Sequence, residues 1–142
     1  MPYPKEWGVN PRDVASKMYV NDTNAYYFSF GSNETNRSQV KGTTYKSLRQ
    51  FIFPGTTLLD IAPQSFRIVC SVDNPAEGSI RLYDITNNNT IAEITGISGE
   101  NDQIVFDSSL TNIPIGESIL EIQAKTNKPG KQIYISSAVL KF

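Results

Sequence analysis

Residues 65–72 limit the fold more than any other stretch of the chain. Phe66, Ile68, Cys70 and Val72 share one parity, while Arg67, Ser71 and Asp73 share the other. Successive side chains of a strand point to opposite sides, so this alternation describes a strand with one face in a core and one toward water. Ile80 and Leu82 alternate with Arg81 and Tyr83 in the same way. Between the two runs lie Asn74, Pro75, Glu77 and Gly78, residue types that favour a turn over a continued ladder. Residues 65–86 therefore read as two strands joined by a Pro/Gly turn, the pattern of a half-buried antiparallel sheet.

The rest of the chain repeats that vocabulary. Residues 25–30 form a dense aromatic run, read as a strand. A polar loop over 31–42 follows, then a strand over 43–53 with Tyr45, Leu48, Phe51 and Phe53 as its apolar members and Lys46 and Arg49 outward. A short edge strand is expected at 56–61. Asn87, Asn88 and Asn89 tolerate positive φ and separate residues 80–85 from 90–94, which predicts a hairpin. Further strands are expected at 103–106, at 118–125 and at 132–142. In the second of these Leu120, Ile122 and Ala124 oppose Glu121, Gln123 and Lys125. The turn between the last two is marked by Asn127, Lys128, Pro129 and Gly130. About eight strands with frequent turn signals and almost no helix predict an all-β, two-sheet antiparallel β-sandwich of jelly-roll type.

Composition decides mainly what the chain does not do. With 39% hydrophobic and 19% charged residues in 142, one domain with a real core is expected over 26–142. A net charge of -1 gives no electrostatic footprint for nucleic acid or an anionic membrane. The chain has no histidine, which removes Ser-His-Asp and Cys-His mechanisms together with the commonest metal ligand. Cys70 is the single cysteine and reads as a small buried strand residue. Asp84, Glu93, Asp102, Asp107 and Glu121 lie on separate elements, and none has calcium-loop spacing. They read as solvated faces, with a calcium ion at a loop end beside Asp84 or Asp107 as the alternative. Trp7, Tyr26, Tyr27, Tyr45, Tyr83 and Tyr134 read as packing residues, with sugar stacking as the alternative. No phosphate loop, zinc spacing or dinucleotide fingerprint occurs. The expectation is a non-enzyme with no catalytic residue, cofactor or metal.

Residues 1–25 differ from the rest. Pro2, Pro4 and Pro11 interrupt regular structure, and residues 10–18 suit a capped turn or two of helix, with Asn10 as N-cap and Pro11 at the first helical position. The segment lacks the apolar run of a signal peptide, and no stretch is long and apolar enough to span a membrane. It reads as an extended arm that either straps its own domain or reaches a neighbour. Tyr3, Trp7, Met18 and Tyr19 are its candidate interface residues.

From residue 51 onward the order of words carries a resemblance. Residues 51–55, 80–96, 110–123 and 133–142 together are similar to jelly-roll modules of structural proteins from phages and large DNA viruses. They also resemble, more weakly, galactose-binding-like carbohydrate-binding modules. The first resemblance implies a virion structural protein, a capsid, minor capsid, cement or decoration subunit. Such a protein would assemble in the host cytoplasm and act on copies of itself or on other virion proteins. The second implies a carbohydrate-binding or receptor-binding module.

Overall fold

The structure is a computed structural model and describes residues 25–30 and 38–142. Its elements are β1 (Ala25–Ser29), β2 (Ser38–Lys41), β3 (Lys46–Phe53), α1 (Thr56–Leu59), β4 (Ser65–Val72), β5 (Gly78–Asp84), β6 (Asn89–Ile97), β7 (Gln103–Asp107), β8 (Ser118–Thr126) and β9 (Gln132–Lys141). Two antiparallel sheets face each other. The first, sheet A, runs β1–β9–β4–β7, and β2 joins it by pairing with β9. Sheet B runs β3–β8–β5–β6.

β1 and β2 lie along the same β9 strand. Ala25–Ser29 pairs with its second half and Ser38–Lys41 with its first. Counted as one interrupted strand, they leave eight strands whose pairings obey a simple rule: first with last, second with seventh, third with sixth, fourth with fifth. A ribbon folded once at its middle and then rolled gives this order. The rolling brings β9 against β4 and β8 against β5.

The inner faces supply the core. Phe66, Ile68, Cys70 and Val72 of β4 meet Ile133, Ile135, Ala138 and Leu140 of β9, and all are buried. Across the sandwich stand Phe53, Ile80, Leu82, Leu120, Ile122 and Ala124 of sheet B. Each large side chain fully removed from water contributes about 1.5–3 kcal/mol. Tyr26 and Phe28 close one side of this core. Tyr26 meets Phe53, Phe51 and Phe142 edge-on, and its centroid lies 5.4 Å from that of Phe142. β9 lies in the sheet interior, between β1/β2 and β4.

β4 and β5 have the predicted alternation and the predicted turn between them; they belong to different sheets, so the Asn74–Gly78 turn crosses the sandwich. Alternation reports which face is buried and carries no information about the partner strand. The Asn87–Asn89 turn does close a hairpin, β5 with β6, and Asn88 adopts φ 57°. The polar loop expected over 31–42 ends early, because Ser38–Lys41 form β2 and bury Val40. The edge strand expected at 56–61 is instead one helical turn, α1, bounded by Gly55 at φ 98° and Asp60 at φ 61°. Arg49 does not point away from the fold. It reaches β1, donates from Nη2 to the Ser29 carbonyl at 3.1 Å, and lies 4.8 Å from the centroid of Phe30.

Candidate functional site

The sandwich exposes large apolar side chains at one end. Ile52 and Ile119 face each other across β3 and β8 on the outer side of sheet B, 66% and 43% exposed. Leu58 of α1 and Ile115 of the loop before β8 are exposed at the same end. Backbone bonds fix these two segments together. Thr56 N donates to the Pro114 carbonyl and Thr57 N to the Ile115 carbonyl, each at 3.1 Å. Gly55 permits this seam, since a Cβ there would lie 2.5 Å from the Ile115 oxygen. Four exposed apolar side chains thus stand at one end of the sandwich, two of them on backbone tied by hydrogen bonds.

Further along the same outer face the chemistry changes to a closed polar network. Glu121 and Gln123 point outward from β8, yet they are only 7% and 9% exposed. Gln50 and Gln123 each donate an amide to the Glu121 carboxylate, at 2.8 and 2.5 Å. Arg81 Nε donates to Gln123 Oε1 at 2.5 Å. The Arg81 guanidinium is stacked on two rings, 4.1 Å from the centroid of Tyr45 and 4.4 Å from that of Tyr83. Lys125 Nζ lies 4.5 Å from the Tyr45 centroid, and the Tyr45 hydroxyl donates to Glu93 at 2.6 Å.

The protonation states follow from this arrangement. Burial alone would raise the Glu121 carboxyl, but bonds from Ser47, Gln123 and Gln50 and the charge of Arg81 outweigh it and hold it below its ordinary value. Burial raises the Tyr45 phenol, and the bond to Glu93 and that residue's charge raise it further, against the opposing pull of Arg81. Both groups stay in one state near neutrality.

The other candidates of the sequence are accounted for one by one. Cys70 is fully buried, and burial, helped by the charge of Asp102, pushes its thiol up to about 12. It is a packing residue with little thiolate at neutral pH. Asp84 is buried and accepts from the Asn87 backbone at 3.0 Å and from its amide at 2.7 Å, which shapes the β5–β6 turn. Asp107 accepts from Glu93 N at 3.0 Å and Ser109 N at 2.8 Å. Neither carboxylate joins a group of three or more metal-ligating side chains, and no such group occurs among the described residues. Tyr26 packs in the core seam, while Tyr45 and Tyr83 belong to the polar network. Tyr3, Trp7, Met18 and Tyr19 lie outside the described residues. The exposed pair Ile52 and Ile119 was missed from sequence, although Ile119 shares the parity of Glu121, Gln123 and Lys125 and so had to face outward.

No family model matches the chain, and no curated protein matches it.

Proposed function

We propose that the protein is a non-enzymatic structural subunit of jelly-roll type, a capsid, minor capsid, cement or decoration protein that works through contacts with copies of itself or with other virion proteins. The observation that carries this reading is the apolar end formed by Ile52, Ile119, Leu58 and Ile115. Such a surface suits the buried centre of a subunit interface, where apolar anchors dominate and the polar rim adds little. The rolled-ribbon strand order supports the jelly-roll reading, and the resemblance of residues 51–142 to virion modules supports the virion setting. The sugar-binding alternative finds less support. Cations already lie against the Tyr45 and Tyr83 rings, so a pyranose stacking on the Arg81 or Lys125 side would have to displace them.

The test is a double substitution, Ile52→Asp with Ile119→Asp. Both side chains are well exposed, so folding survives, while light scattering is expected to show loss of self-association relative to the parent. An unchanged mass distribution in the double variant would remove this surface from the account. Selective binding to a glycan array by the parent chain would favour the carbohydrate reading instead.

A further inference from the structure

The outer face of sheet A has a different character from that of sheet B. Cross-strand register places Tyr27, Val139, Arg67 and Phe106 in one row across β1, β9, β4 and β7. The next row holds Ser29, Ser137, Val69 and Ile104. Tyr27, Phe106 and Ile104 are 57%, 54% and 63% exposed. Arg67 is the only charge in the two rows, and its guanidinium lies 4.7 Å from the Phe106 centroid. Four of the eight side chains are Val, Ile or Phe and a fifth is Tyr, on a side of the sheet that faces away from the core.

The position of residues 1–24 names the occupant. This segment enters the described fold at Ala25, the first residue of β1, opposite Lys141 on β9, so it arrives at the rim of this face. It contains Tyr3, Trp7, Val9, Val14, Met18, Tyr19 and Val20. Its charges cancel, Lys5, Arg12 and Lys17 against Glu6, Asp13 and Asp22, so the segment carries no net side-chain charge to repel the Arg67 guanidinium. Asn21, Asp22, Thr23 and Asn24, turn-forming residues, immediately precede Ala25 and suit a reversal of direction. Reach is ample. Three strand spacings span about 14 Å, whereas 24 extended residues span up to about 80 Å. A short tether also raises the effective concentration of the chain's own segment into the millimolar range, above that of a neighbour's in dilute solution.

We infer that residues 1–24 of each chain dock on the outer face of its own sheet A, against Tyr27, Val139, Val69, Ile104 and Phe106. This face is then covered from within the chain, and the Ile52–Ile119 end is left for partners. The arm is a cover for its own domain and not an exchanged element.

Trp7 is the sole tryptophan, so its fluorescence reports on the segment alone. In the intact parent chain its emission is expected to be blue-shifted and protected from acrylamide relative to the urea-unfolded chain, to the same extent at every protein concentration. The double variant Ile104→Asp with Phe106→Asp is expected to shift that emission to the unfolded position, while far-UV circular dichroism stays that of the folded chain. The variant Ile52→Asp with Ile119→Asp is expected to leave it unmoved. Parent emission already at the unfolded position would overturn the inference, and so would emission in Ile104→Asp with Phe106→Asp that matches the parent. A blue shift that grows with concentration alongside the mass would also overturn it, by showing that a neighbour supplies the segment.

Discussion

The two outer faces of the sandwich share one architecture and have opposite chemistry. On sheet B, the row behind Ile52 and Ile119 carries Gln50, Glu121 and Tyr83, and the next carries Ser47, Gln123, Arg81 and Glu93. There polar side chains satisfy one another so fully that a carboxylate on the solvent side is nearly buried. On sheet A the equivalent rows carry Tyr27, Val139, Phe106, Val69 and Ile104, with two serines and a single guanidinium. Polar groups that bond to each other are content beside water and need nothing more. Apolar groups there remain unfavourably solvated until something covers them. The difference teaches which parts of the outer surface are closed by their own hydrogen bonds and which leave apolar groups in water.

Substitutions separate the two kinds of face. The largest effect is expected for Glu121→Ala, which leaves Gln50, Gln123 and Ser47 without their acceptor and Arg81 without its countercharge. Losing charge-assisted bonds at a nearly buried site costs about 2 kcal/mol, read as a lower urea midpoint. Arg81→Ala comes next. It removes the stack between Tyr45 and Tyr83 and is expected to lower stability by about 1 kcal/mol in the same titration. Neither change should alter self-association, and if either did, the polar network would be part of the contact surface together with Ile52 and Ile119.

A smaller effect is expected with pH. The Glu121 carboxyl is held below its ordinary 4.5 in the folded chain, so the folded state favours the ionised form. Its contribution is present above 4.5 and is lost as pH falls through the lower folded value. Unfolding midpoints of parent and Glu121→Gln should therefore converge in acid and separate toward neutrality. Parallel curves would mean that the network does not act through this charge. The smallest effect on folding stability is expected for Ile119→Ser, a change within about 0.5 kcal/mol at an exposed position. A large loss there would show that the apolar end already packs within one chain.

Much of the fold was legible because β4, β5 and β8 obey the period-two rule on their inward side, and β9 does so on either side of the bulge between Ile135 and Ser137. Phe66, Ile68 and Cys70, and again Leu120, Ile122 and Ala124, could face only a core. The sheet to which each strand belongs was not legible. The Asn74–Gly78 turn looks like a hairpin turn and crosses between sheets, because local turn chemistry reverses the chain without choosing its neighbour. α1 was missed for a related reason. Thr56, Thr57, Leu58 and Leu59 read as a strand, whereas Gly55 and Asp60 at positive φ fold them into one turn against Pro114 and Ile115.

The exposed apolar pair was legible in parity alone. Ile119 shares the parity of Glu121, Gln123 and Lys125, and Ile52 alternates with Phe51 and Phe53, the inward members of β3, so both had to face outward. The sandwiched Arg81 was invisible, since Tyr45 reaches it from another strand connection, 36 residues upstream in the sequence. Pairings of that kind exist only after the ribbon has rolled.

The central claim is that this chain joins surfaces. Its most direct test is the solution mass of the unmodified protein by light scattering across a wide concentration range. A mass that rises above the 15.8 kDa of one chain as concentration increases is the predicted result. A mass fixed at 15.8 kDa throughout would contradict it.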